Sequence, residues 1–253
     1  MKEGLRSKIT PLNGIYAALI AIETGIFVAF NIIVAVQPSD PVYLKYAGVL
    51  LCLAAAASFI YFYKKDAVIL TCALVFTAIS DYFILVIDAY YEIGVTTFFI
   101  AQVFYLYRLY EGRLNRIHIT LIARAVLTAA VLIILAVFAS LNYLLVIVTL
   151  YFVMLCVNCA DAIIICRGGR KSALFAIGLL LFVCCDVCVG LHNFGSTLGV
   201  TLPRGVLTFV QYAIWVFYLP SQVLITCSAN VNGLKTAGKS AKGDKVGEVN
   251  EGV

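Results

Sequence analysis

Charge is scarce in this chain. Of its 253 residues, 12% are charged and 63% are hydrophobic, against about a quarter and about half in soluble domains. A water-soluble fold of this length has too little interior to hide so much apolar surface. Histidine is rarer still: His118 and His192 are the only two, which excludes hydrolases that hold zinc on three histidines. A G-x-S-x-G elbow, a Walker loop and an H-E-x-x-H helix are all missing, which removes the signatures of serine hydrolases, P-loop enzymes and zincins. No small-residue cleavage pattern follows the first apolar run, which is long and carries Glu23. An uncleaved first helix is expected there. No internal repeat is evident.

What the chain has in abundance is apolar runs. Eight of them, at about 14–36, 43–63, 67–88, 93–110, 118–138, 141–166, 172–191 and 206–227, are separated by short polar breaks. A helix needs roughly 20 apolar residues to cross the ~30 Å hydrocarbon layer. Lipid offers the backbone no hydrogen-bonding partner, so every span must be helical. The expected fold is all-α: a polytopic membrane protein whose eight transmembrane helices form one bundle over residues 1–227. The tail at 228–253, rich in Gly, Lys, Ser and Ala, is expected to be disordered.

The net charge of +5 is a topology signal. With eight spans, fifteen of the eighteen Lys and Arg residues fall on one side, in the N-terminus, the even-numbered breaks and the tail. The other side holds only Lys45 and Arg204, and Arg124 lies within the fifth span. Cytoplasmic loops carry the basic excess, so both termini are expected in the cytoplasm, and nucleic acid is not an expected partner. The nine cysteines lie in or beside apolar runs. Cys156/Cys159 and Cys185/Cys188 have C-x-x-C spacing, but with both histidines at opposite faces they lack metal partners. They are expected to be small packing residues. No metal or cofactor is expected.

Ionisable groups inside a bilayer are costly and therefore candidates for function. Arg124 is close enough to His118 to reach back to the cytoplasmic interface, and Asp161 is close enough to Arg167 to pair with that loop. Asp81 and Asp186 differ. Asp81 is seven residues before Asp88, about 10 Å deep, and Asp186 is five before Leu191, about 8 Å deep. Two carboxyls at matching depth on separate helices, if they face each other, cannot both ionise cheaply. One then serves as an acid while the other is an anion, the division used by paired-carboxylate hydrolases. A proton-relay pair without bond cleavage is the alternative.

Further polar groups fall nearby. Gln102 is about 14 Å deep by the same rise, with Tyr105 one turn on. Gln211, Trp215, Tyr218 and Gln222 share one face of the last helix, either lining a polar cavity or bonding between helices. Lys45 stands at the outer mouth of the second helix, placed for a lipid phosphate or as an interfacial anchor.

Three segments carry a resemblance. LVFTAISDYFILVIDAYYEIGVTTFFIAQVFYLYRL (74–109), ALFAIGLLLFVCCDVCVGLHNF (173–194) and QYAIWVFYLPSQVLI (211–225) are similar to the signature helices of the YhhN-like lysoplasmalogenase family. On that resemblance Asp81 and Asp186 match the family's two acidic positions. Lys45 matches its second-helix lysine, Tyr105 its fourth-helix tyrosine and Gln222 its terminal glutamine. Gln102 stands where the family usually has His, Lys45 lacks the following Pro, and Cys185 replaces the Ser before Asp186. The resemblance implies hydrolysis of the vinyl ether of a lysoplasmalogen, with a lysophospholipid and membrane lipids as partners. It implies a multi-pass protein of a bacterial plasma membrane or an endomembrane. A transporter or lipid-binding protein that couples the carboxyls to protons is the other reading.

Overall fold

The structure is a computed structural model that describes residues 2–36, 41–111, 117–138, 140–165, 169–197 and 203–229. Of the expected tail, Ser228 and Ala229 are instead buried against the bundle; residues 230–253, the loop basic residues Arg113, Arg116 and Arg167, and Cys166 lie outside the described residues. Among the described residues the chain is helical without strands. The helices are α1 (Lys2–Val36), α2 (Val42–Tyr63), α3 (Lys65–Asp81), α4 (Tyr91–Tyr110), α5 (Ile117–Phe138), α6 (Tyr143–Ile165), α7 (Arg170–Thr197) and α8 (Arg204–Cys227), with a π-helical turn at Tyr82–Ile87 closing α3.

Seven of the eight are long and apolar enough to cross a membrane. α4 is the exception, because Glu92, Gln102, Arg108 and two threonines dilute its apolar face. The helix positions follow the apolar runs to within a few residues except at two ends. α1 begins at Lys2, well ahead of its apolar run, and α7 continues to Thr197. Helical hydrogen bonding outlasts hydrophobicity at both.

Packing closes a ring in the order α2, α3, α4, α6, α7, α8 and back to α2, with α1 laid over α2 and α8 and α5 outside α6. The most extensive pair is α7 with α8. Gly178 permits it: a Cβ there would lie 2.7 Å from the Ile225 side chain and 3.2 Å from the Ser221 carbonyl oxygen. Small residues let membrane helices approach this closely. The ring encloses Val49, Phe59, Leu70, Leu74, Leu155, Phe175 and Leu179, all fully buried. The outer face of α5 presents Ile122, Val126, Ile133 and Ile134, as a lipid-facing helix must.

Candidate active site

Asp81 is the last α-helical residue of α3, and the π turn begins at the next position. Single π turns inside helices are frequent at functional sites. The hairpin beyond is tightly held. Asp88 and Tyr90 have left-handed backbones, and the Tyr91 hydroxyl donates to Asp88 Oδ1 at 2.5 Å. Ser80 Oγ donates to the Gly94 carbonyl at 2.6 Å. A Cβ on Gly94 would lie 2.5 Å from the Ile84 side chain, so only glycine fits where α4 crosses α3. The serine of the Ser-Asp pair is thus a structural clamp that fixes the helix carrying Asp81.

The two aspartates meet in one aromatic-walled site. Asp81 is buried and accepts a hydrogen bond from the Tyr218 hydroxyl of α8. Asp186, on α7, accepts one from the Tyr151 hydroxyl of α6 at 2.5 Å. Phe182 lies edge-on to both Tyr218 (5.5 Å between centroids) and Phe98 (5.7 Å), and Phe98 stacks on Tyr151 at 5.5 Å. The Asp186 carboxyl lies within charge–charge range of Asp81, and Cys185 is near both. No ion pair reaches either aspartate among the described residues. Two carboxyls, each with one phenol donor and no cation, can divide between an acid and an anion.

The start of α2 adjoins this pair. Lys45 is buried, its Nζ 4.1 Å from the Trp215 ring centroid and 5.2 Å from that of Phe30. Trp215 in turn lies edge-on to Tyr218 at 5.7 Å. Such cation–π contacts orient an ammonium. Lys45, Trp215, Tyr218 and Asp81 are therefore contiguous.

Below lies a polar layer. Tyr105 packs edge-on to Phe175 at 5.5 Å, its hydroxyl beside Thr77 and within charge–charge range of Asp81. Gln222, one turn below Tyr218, is fully buried with Oε1 lacking a protein partner. Gln211 is the member of the α8 stripe that is exposed, at the outer end. Gln102 is fully buried, but its described bonds run to Asn158, whose Nδ2 donates to the Gln102 backbone oxygen at 2.9 Å and to Oε1 at 3.0 Å.

Asn158 also corrects the expected partners of Arg124 and Asp161. Arg124 Nη2 donates to Asp161 Oδ2 at 2.8 Å and to Asn158 Oδ1 at 2.9 Å. The two groups expected to reach for the interface and a basic loop satisfy each other across α5 and α6, because a buried ion pair needs no water to span the gap. At the same end Arg108 makes a bidentate pair with Asp66, at 2.8 and 2.9 Å. Among the described residues eight cysteines are free thiols, and no group of three or more His, Cys, Asp or Glu is placed to hold a metal.

Sequence reasoning missed Tyr151, Phe98, Phe182 and Asn158. Each acts across helices, so no spacing within one helix reveals it.

The chain belongs to the YhhN family, whose model matches residues 42–229, α2 through the end of α8. No curated protein and no solved structure matches it.

Proposed function

We propose that this protein is a multi-pass membrane lysoplasmalogenase that hydrolyses the vinyl ether of a lysoplasmalogen, with Asp81 and Asp186 as its acid–base pair. Family membership supports hydrolase chemistry of this type at the family level. The observation that carries the residue assignment is the shared site: two carboxyls, each bonded to a tyrosine hydroxyl, with no cation to neutralise them.

A vinyl ether accepts a proton at its outer alkene carbon. The protonated carboxyl delivers that proton, leaving an oxocarbenium ion at the carbon bonded to oxygen. The carboxylate partner stabilises the cation and takes a proton from the attacking water. The resulting hemiacetal collapses to a fatty aldehyde and a glycerophospho-alcohol, returning the proton, so the cycle consumes only water. Lys45, in its aromatic surround at the outer mouth, holds the phosphate. Tyr105, Trp215, Tyr218 and Gln222 line the site. In this reading α4 also spans the membrane, making eight spans with both termini cytoplasmic, which the fifteen-to-two basic asymmetry supports.

Turnover across vinyl-ether, saturated alkyl-ether and ester lysolipids of one chain length tests the chemistry. The vinyl ether is expected to release aldehyde, while the alkyl ether, lacking a basic carbon, inhibits competitively without turning over. An ester cleaved as fast as the vinyl ether would overturn the mechanism. Cysteine probes in a cysteine-depleted background test the topology. The tail near Lys242 should label only from the cytoplasm and residues 195–203 only from outside, and labelling of both from one side would mean an odd number of spans.

A further inference from the structure

Glu23 takes no part in the site described above and lies on α1, outside the residues that the family model matches. It is near the middle of the apolar span Pro11–Val34, at the most costly depth for a charge. The side chain is buried at 5% exposure. Its Oε1 accepts a hydrogen bond from Cys52 Sγ at 3.4 Å. Its Oε2 packs 3.1 Å from where a Cβ on Gly48 would stand and has no protein partner.

The same carboxyl lines a groove of about 260 Å³ between α1 and α8, walled by Ile20, Phe27, Leu219, Val223 and Leu224, with Thr24 and Pro220 at its edge. Of the walls, Ile20 is exposed, Phe27, Val223 and Leu224 are half-buried and Leu219 is buried, so the groove opens sideways, and one polar oxygen interrupts it. Small-molecule pockets run to roughly 300–1,000 Å³, so this groove suits part of one hydrocarbon chain. A carboxyl in hydrocarbon with no cation in contact is most cheaply accommodated as the neutral acid. It then has an O–H to donate and wants an uncharged acceptor.

We propose that Glu23 and the α1–α8 groove form a lateral binding site for a single-chain lipid with one uncharged oxygen, an aldehyde or an alcohol. The carboxyl bonds the oxygen and the groove takes the adjoining methylenes. That the occupant is the fatty aldehyde released at the aspartates rests on the function proposed above; the site itself does not. The groove also follows from the register of three helices. Phe30 on α1 stands by Lys45 and Trp215, while Glu23, two turns lower, stands by Gly48 and Cys52 on α2 and shares the groove with Leu219 and Val223 on α8. It therefore lies about 10 Å, seven residues of helix, below the Lys45 mouth.

Photo-crosslinking in lipid nanodiscs tests this, with diazirine-bearing long-chain alcohol, aldehyde, alkane and trimethylammonium probes and mass-spectrometric mapping. The alcohol and aldehyde are expected to label segments 20–27 and 219–224. Labelling should fall at least fivefold in Glu23→Leu and persist in Glu23→Gln, whose amide still donates. Equal labelling of wild type and Glu23→Leu, or an alkane as effective as the alcohol, would overturn the site. Stronger labelling by the ammonium probe would overturn the neutral-ligand assignment. Aldehyde favoured over alcohol supports the reaction product as occupant, and alcohol favoured over aldehyde overturns that occupant. Vinyl-ether turnover measured on the same sample separates failure of the enzyme reading from failure of this site.

Discussion

α3 carries an aspartate at each end, and the two are treated in opposite ways. Asp66, in the first turn, accepts from Nε and Nη2 of Arg108, while Nη1 donates to Ser228 Oγ at 2.7 Å and Nη2 also to the Ser228 carbonyl at 3.0 Å. Asp161, also toward that end of the bundle, has Arg124 at 2.8 Å. Asp81, at the other end of α3, has the Tyr218 hydroxyl, and Asp186 beside it has the Tyr151 hydroxyl. A carboxylate that only holds helices together is stabilised most by a buried guanidinium, which keeps it an anion. A carboxyl that must exchange a proton needs a partner that tolerates both of its forms, and a phenol does. On the proposed function, the difference separates a structural from a reactive acid within one helix.

The sharpest break in that comparison is substitution of the tyrosine-bonded pair. Asp81→Asn and Asp186→Asn are each expected to cut aldehyde release by about 10²–10⁴-fold, the range of general acid–base catalysis, with folded yield largely retained. Aldehyde assay and size-exclusion profile check both halves, and activity within tenfold of wild type in both variants would remove the pair from the chemistry. At the other end of α3 the effect should fall on stability. Arg108→Ala takes the guanidinium away from the buried Asp66, which costs about 3–5 kcal/mol. A steep drop in thermal stability is expected, and Asp66→Asn with Arg108→Met should recover much of it.

Tyr218→Phe and Tyr151→Phe remove one hydrogen bond each to a reactive carboxyl. A loss of about tenfold in kcat with little change in KM is expected, since a hydrogen bond to a charged group contributes about 1.5–3 kcal/mol; an unchanged kcat would make these tyrosines packing residues only. The smallest effect should come from Gln102→Ala. Gln102 lies between the two regions, tied by Asn158 to the Arg124–Asp161 pair. An amide does not titrate, so activity should weaken with no change in the shape of its pH profile. A shifted optimum would place Gln102 in direct contact with the acid–base pair.

Much of this was legible because lipid leaves few options. Long apolar runs must be helices, their count and basic flanks set an order, and a carboxyl within a span stands out against hydrocarbon. Asp81 and Asp186 could be set at one depth from sequence, since an alternating helix order converts residue number to height. The α8 stripe was legible in part: Trp215, Tyr218 and Gln222 turn inward, whereas Gln211 is exposed and its neighbours Val210 and Ala213 pack against α7 instead.

What one helix cannot encode is which neighbour it meets. The i, i+4 pattern on α8 states that Tyr218 and Gln222 share a face, but only the closed ring of helices puts Tyr218 against Asp81. The same holds for Tyr151 and Asp186, and for Arg124, which found Asp161 in place of the interface. The π turn after Asp81 likewise has no local signature, because it answers to the close crossing at Gly94. Sequence determined the helices, their depth and which residues are too polar to be idle. Tertiary structure decided their partners, because a hydrogen bond or ion pair across helices depends on packing and rotation that lateral contacts alone select.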